Sequence, residues 1–279
     1  MDIYYINNEF VSAEESKITV NDMGLLRGYG VFDFMRTYGG KPFYLDGHVK
    51  RLVRSATLIG LAVPWSEQEI FDITMETLKR NDHKESNVRI VITGGVSPDS
   101  ITPQGNSNLM VMVTPLHALP ATWYSEGVKV ITTHVERFMP DAKTTNYIPG
   151  ILALENARKQ DAIESIYVDR YGNLLEGTTT NFYAFIDGKL VTPATGMLPG
   201  ITRKVILELA DGVFDVEMRD IKKDEIRLMD EAFLSASNKE IVPVTEIDCV
   251  TIGDGKPGKQ TQKLRELFNE FTTRYGKGE

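Results

Sequence analysis

The chain has 279 residues, 42% of them hydrophobic and 25% charged, with a formal net charge of −8. That is enough apolar material for two packed layers or two domains of ordinary soluble composition. The acidic balance argues against a nucleic-acid partner, which needs clustered Lys and Arg in excess, and no window reaches the length of a membrane span.

The first residues, Met1-Asp-Ile-Tyr-Tyr-Ile, lack the basic start and apolar run of a signal peptide, so the expected location is the cytoplasm. In chain order, Tyr4-Tyr5-Ile6 and Glu9-Phe10-Val11 flank Asn7-Asn8, whose tolerance of positive φ predicts a hairpin. The glycines of the stretch from Asn21 to Gly30 then feed a strand over Val31–Tyr38. Gly24, Gly28 and Gly30 lack dinucleotide spacing and no helix follows, which argues against a phosphate cradle there. Arg27 in this loop is either a surface arginine, as most are, or a clamp for a carboxylate.

Asp46 is placed to cap a helix over 47–61, where Val49, Leu52, Val53, Ala56 and Ile59 recur at helical spacing. His48 and Arg51 share a face of it; by residue type alone Arg51 is a solvated charge and His48 a packed or exposed histidine. A second amphipathic helix over 66–80 precedes a strand over 87–93, in which Arg89 must either face water or meet an anion. After a further strand, 109–114, the prolines of Pro115–Ala121 predict an interdomain linker. Residues 1–116 then form a smaller N-terminal α/β domain, 117–122 the linker, and 123–279 a larger C-terminal domain.

The second half opens with a strand over 128–133 and reaches Lys143, ahead of a helix over 148–160. Strands over 165–169 and 181–186 flank Glu176. A lone lysine is ordinarily an exposed charge, but one amine and one carboxylate on a compact frame suit pyridoxal phosphate. Its aldehyde must condense with a lysine amine, and a carboxylate keeps its ring nitrogen protonated as an electron sink. Gly200-Ile201-Thr202 sits at the start of a helix over 203–210, where free backbone N–H groups bind phosphate; a threonine cap alone would explain the same residues. Glu231–Asn238 reads as a strand and polar turn. Cys249, the single cysteine, can form neither an internal disulfide nor a zinc site, and its apolar neighbours Ile247 and Val250 imply a buried thiol. Gly253–Gln260 nearly spells a Walker loop before a helix over 261–273. Gln260 replaces the magnesium-binding hydroxyl and Pro257 removes a backbone donor, which leaves ATP binding as the rival from another functional class.

The segments Ala142-Lys143-Thr-Thr-Asn146, Leu175-Glu176-Gly-Thr-Thr-Thr-Asn181-Phe182 and Leu198-Pro-Gly-Ile-Thr-Arg203 resemble the signature blocks of the class IV aminotransferases, from about Tyr4 to the C-terminal helix. That resemblance implies a two-domain α+β enzyme of fold type IV, with pyridoxal phosphate between the domains and a homodimer completing each pocket. It assigns Lys143, in the C-terminal domain, as the catalytic lysine, Glu176 to the ring nitrogen, Tyr147 to the phenolic oxygen, and Arg51, Ile201, Thr202 and Ser237 to the phosphate. Phe32, which aligns with Asp33 on the family's aromatic-acid pair, is assigned to the substrate with Arg27, Arg89 and the backbone N–H of Asn238; no metal is implied. Branched-chain aminotransferases carry an arginine at the Arg89 position, with a tyrosine where this chain has Asn87. D-amino-acid aminotransferases use an arginine and a histidine where Asp99 and Ile101 stand. The two arginines Arg27 and Arg89 favour a divergent D-amino-acid aminotransferase, with a branched-chain L-aminotransferase as the alternative and aminodeoxychorismate lyase as a third.

Overall fold

Asn7 and Asn8 take left-handed backbone angles, φ 45° and 75°, in the computed structural model, which describes every residue from Met1 to Glu279. Asparagine visits that region at little cost, so the chain reverses there and Ile3–Ile6 pairs with Glu9–Ser12. This hairpin forms one edge of an antiparallel sheet continued by Asn108–Pro115, Ser86–Thr93, Gly30–Tyr38 and Lys41–Pro42. Alternation along the strands sends Val31, Met35, Val88, Ile90 and Ile92 to one face, where Val49, Leu52, Ala56 and Ile70 of two helices cover them.

Both helices start for legible reasons. Ser66 and Glu69 form a reciprocal capping box ahead of Glu67–Lys79, which satisfies two otherwise orphaned donors. The helix Leu45–Leu58 begins ahead of Asp46, the expected cap. Tyr44 holds the cap position at φ 48°, stacked on Tyr275 with ring centroids 5.7 Å apart. Asp46 lies in the first turn instead, where its charge still favours the helix start.

Two compact units result: Met1–His117 with Ala142–Asn146 and Thr273–Glu279, and Ala118–Asp141 with Tyr147–Thr272. The segment around Lys143, expected in the C-terminal domain, therefore belongs to the first unit. The cause is backbone pairing on the free edge of Gly30–Tyr38. Val31 bridges Thr144, the Phe32 N–H donates to the Lys143 carbonyl at 3.0 Å, and the Thr145 N–H donates to the Gly30 carbonyl at 3.0 Å. Nothing local in the sequence announces a pairing across so many residues.

The second unit is built on a larger mixed sheet. Its strands Glu164–Val168, Asn173–Gly177 and Asn181–Ile186 are buried along their whole length. The helix Ile148–Arg158 makes the crossover that lets Val128–His134 run parallel to Glu164–Val168, as parallel pairing requires. Phe182, Leu234 and Val242 sit in its core. Cys249 is exposed rather than buried. It shares with Asp248 a two-residue turn, φ 65° and 48°, between Glu240–Ile247 and Val250–Thr251, in which Asp248 reaches back to Thr132 while Cys249 faces solvent. No helix is long and apolar enough to cross a membrane.

Candidate active site

The pairing that draws Ala142–Asn146 onto the first unit also fixes Lys143. Its N–H donates to Ser55 Oγ at 3.1 Å and its carbonyl accepts from Phe32. The amine lies 4.6 Å from the centre of the Phe32 ring. Arg89 reaches the same ring from the neighbouring strand, with its guanidinium carbon 5.3 Å from Phe32 and 5.2 Å from Phe34. Stacking on two rings while staying exposed resolves the cost of an arginine in a β-branched strand. Lys143, Phe32 and Arg89 are thus brought together. Arg27 is not: it ends the short helix Met23–Arg27, exposed, with Nη1 on the Leu26 carbonyl.

Beneath this strand lies a buried ionic cluster. Asp33 accepts from Arg51 Nε at 2.9 Å and Nη2 at 2.7 Å, and His48 Nδ1 is 2.6 Å from the same carboxylate. Burial alone would raise the Asp33 pKa, but Arg51 and His48 outweigh it and hold the carboxyl well below the usual range. His48 is pushed down, chiefly by burial, with Asp33 opposing. Its neutral ring therefore donates from Nδ1, and Nε2 has no partner. Arg51, a solvated charge by residue type, is 9% exposed.

In the second unit, Glu176 is 5% exposed, paired with Arg137 Nη1 at 2.7 Å, and accepts the Leu198 N–H at 3.0 Å. Asn181 Nδ2 donates to the Leu198 carbonyl at 2.9 Å, so the blocks around Glu176 and Gly200 are tied to one another. Gly200 opens the helix Ile201–Ala210 with no side chain capping it, so the helix itself offers its first N–H groups no partner. Thr202 is buried there. Arg203, also buried, gives Nη2 to the Pro193 carbonyl at 2.8 Å, while its Nε has no partner. A buried guanidinium without a carboxylate is costly, and the Pro193 carbonyl meets part of that cost; the helix start itself, left uncapped, is the donor set suited to a phosphate monoester. Gly200 is required by space: a Cβ would lie 2.1 Å from Asn181 Oδ1. Gly200→Ala is expected to cost about 1–3 kcal/mol as an overpacked site, read by thermal unfolding.

Tyr147 gives its hydroxyl to the Thr178 carbonyl at 3.2 Å. Ser237 and Asn238 occupy the turn between Glu231–Ala236 and Glu240–Ile247. Two sequence features resolve as scaffold. Asp99 spends its carboxylate on the N–H groups of Ile101 and Thr102 and the hydroxyls of Ser97 and Thr102. The Walker-like stretch leads into a helix whose Gln260 and Thr261 N–H groups are already taken by Glu231, at 3.0 and 2.7 Å; a carboxylate there repels a phosphate. Arg137 is the residue that sequence reasoning missed, since nothing near it in the chain points to Glu176.

The family model for class IV amino-transferases matches residues 30–247. A putative branched-chain-amino-acid aminotransferase of Methanocaldococcus jannaschii is 33% identical over 98% of this chain and 97% of its own length. D-alanine aminotransferase of Staphylococcus haemolyticus is 32% identical over 96% of each. Among solved structures, the Escherichia coli branched-chain amino acid aminotransferase superposes with a TM-score of 0.92 at 27% identity, covering 98% of this chain and 95% of that one. The T.th. branched-chain amino acid aminotransferase with pyridoxamine 5'-phosphate gives 0.91 at 27% identity, covering 98% and 94%.

Proposed function

The chain belongs to the class IV aminotransferases, a family of pyridoxal-phosphate-dependent transaminases, and from that premise we propose that it moves an amino group between a branched-chain amino acid and a 2-oxo acid. The observation that carries this reading is Lys143, whose backbone is held on a strand edge and whose amine is presented against the Phe32 ring. The uncapped helix start at Gly200 fits a phosphate-bearing cofactor. Bound pyridoxal phosphate supplies the electron sink for breaking a Cα–H bond.

The protein residues do the rest. Lys143 takes the proton from the substrate Cα and returns it, a positioned acid and base. Glu176, held by Arg137 and the Leu198 N–H, is a fixed negative charge that keeps a ring nitrogen protonated. Tyr147 is assigned to the phenolic oxygen. The phosphate is assigned to the Ile201 and Thr202 N–H groups, the Thr202 and Ser237 hydroxyls, and Arg51, whose fork Asp33 already orients. Phe32 and Phe34 offer an apolar wall, Arg89 a cation for a carboxylate, and Asn238 its N–H.

The ranking of substrates reverses the one drawn from sequence. The place where D-amino-acid aminotransferases trap a carboxylate holds Asp99, closed on its own loop, and branched-chain enzymes supply the structural neighbours named above. The D-amino-acid reading stays as the second because Arg27 and Arg89 are both exposed cations and a D-alanine aminotransferase is almost as similar. A homodimer is part of the proposal. It is supported by Ile148, Ile151 and Leu152, 67%, 53% and 61% exposed along one face of a helix, an apolar stripe that calls for a cover.

Purified protein loaded with pyridoxal phosphate is expected to show a visible absorption band and to turn over L-leucine with 2-oxoglutarate faster than D-alanine or D-glutamate. Preference for a D-amino acid would install the second reading, and no band with no turnover would overturn both.

A further inference from the structure

Lys239 ends the turn that carries Ser237 and Asn238, and its side chain, 14% exposed, runs to the loop that follows Glu176. There Nζ donates to Thr179 Oγ1 at 2.6 Å and lies 3.8 Å from Glu164 Oε2, on a carboxylate with no exposed surface. Thr179 Oγ1 passes the contact on, donating to the same Glu164 oxygen at 2.8 Å. One hydroxyl therefore bridges a half-buried ammonium and a fully buried carboxylate.

Glu164 is the centre around which that loop folds. Its Oε1 accepts the N–H of Ser165 at 2.9 Å, the N–H of Thr178 at 3.0 Å and the Thr178 hydroxyl. Its Oε2 accepts the Thr179 N–H at 3.3 Å and the Thr180 hydroxyl at 3.4 Å. Gly177 lets the chain close this tightly, for a Cβ there would lie 2.1 Å from Thr180 Oγ1 and 3.0 Å from Glu164 Cγ. At the far end, the Lys239 N–H closes its turn on the Ala236 carbonyl, and its own carbonyl accepts from the Tyr124 hydroxyl. Burial lowers the Lys239 pKa, and Glu164 acts against that shift.

A buried pair of this kind is a weak source of stability compared with apolar packing; what it can supply is one defined geometry. The geometry at stake here is that of the assigned site. The Thr178 carbonyl holds the Tyr147 hydroxyl, and the loop is bounded by Glu176 and Asn181, which both grip Leu198. We propose that Lys239 and Glu164 are a positioning pair that sets the turn Ser237–Lys239 against the loop Gly177–Thr180, so that phosphate and substrate carboxylate meet prealigned donors. The inference rests on the proposed function for the identity of those two ligands.

The test compares full-length wild type with Lys239→Met, Thr179→Val, their double variant, Lys239→Arg and Glu164→Gln. The readouts are the dissociation constant for pyridoxal phosphate by absorbance, the KM for the 2-oxo acid, kcat, and the melting temperature of the cofactor-free protein. Lys239→Met and Thr179→Val are each expected to weaken cofactor binding and raise KM about tenfold, within the usual coupling between contacting residues. Effects on kcat stay within about threefold. The double variant behaves like either single one, and Lys239→Arg recovers part of the loss. Should Glu164→Gln fail to fold, Thr179→Val carries the test, because it removes only the bridging hydroxyl at an exposed residue. Variants that lose melting temperature but keep wild-type cofactor binding and KM, or whose effects add, overturn the positioning role alone. A wild type that takes up no pyridoxal phosphate overturns the proposed function and this inference with it.

Discussion

Replacing Lys143 by alanine is expected to lower kcat roughly 10⁴-fold, the upper end of what a positioned acid and base contributes, while the protein stays folded. The two halves of that expectation have separate causes. The fold is indifferent because the segment is held by backbone groups that alanine keeps: the residue 143 N–H on Ser55 Oγ, its carbonyl on the Phe32 N–H, and the Thr145 N–H on Gly30. One contact the side chain gives up is that with the Phe32 ring, and an amine over an aromatic face at an accessible site is worth only about 0.5–1 kcal/mol. The rate collapses because Arg89, the cation that reaches the same ring, cannot take over: a guanidinium stays protonated and is no base. Steady-state rates with the preferred amino acid, paired with thermal unfolding, check both halves. A variant retaining a tenth of the wild-type rate would remove Lys143 from the chemistry.

Much of this site could be read in the sequence because its parts are short and local. Gly200-Ile201-Thr202 marks the start of a helix, expected over 203–210 and found over Ile201–Ala210. Lys143 stands out among small and polar neighbours, and Glu176 as one carboxylate between two strands. The features that escaped are those made by distance along the chain. Ala142–Asn146 joins the first unit through the edge of a strand more than a hundred residues earlier, and no periodicity encodes which edge is free. Arg137 meets Glu176 across a sheet, and Lys239 meets Glu164 across a hairpin turn and a loop; in each case the charge alone reads as a solvated surface residue. Cys249 failed for the opposite reason: its neighbours suggested burial, and the two-residue turn that turns it outward depends on backbone angles rather than hydrophobicity.

Asp33 is the residue whose loss should destabilise the first unit most. It has no exposed surface, it binds Arg51 through two nitrogens, and it holds His48 Nδ1 at 2.6 Å. Asp33→Asn keeps the shape and removes the charge, leaving a buried guanidinium uncompensated. Breaking one partner of such a pair costs about 3–5 kcal/mol, a fall in melting temperature on the order of 10 °C. The pH dependence has a definite sign. The folded carboxyl ionises well below its unfolded value of about 3.9, because Arg51 and His48 outweigh the effect of burial. Its contribution is therefore complete above that value and is lost as pH falls through it towards the lower folded pKa. Wild type and Asp33→Asn should differ most in melting temperature near neutrality and converge in acid. His48 adds no opposing trend near neutrality, since its own pKa is pushed down by burial and its ring is already neutral there. A constant gap between the two proteins down to about pH 3, below the unfolded carboxyl value, would mean that the asparagine destabilises through shape or lost hydrogen bonds. No gap at neutral pH would mean that Arg51 finds another anion, and the phosphate assigned to it would be the first to look for.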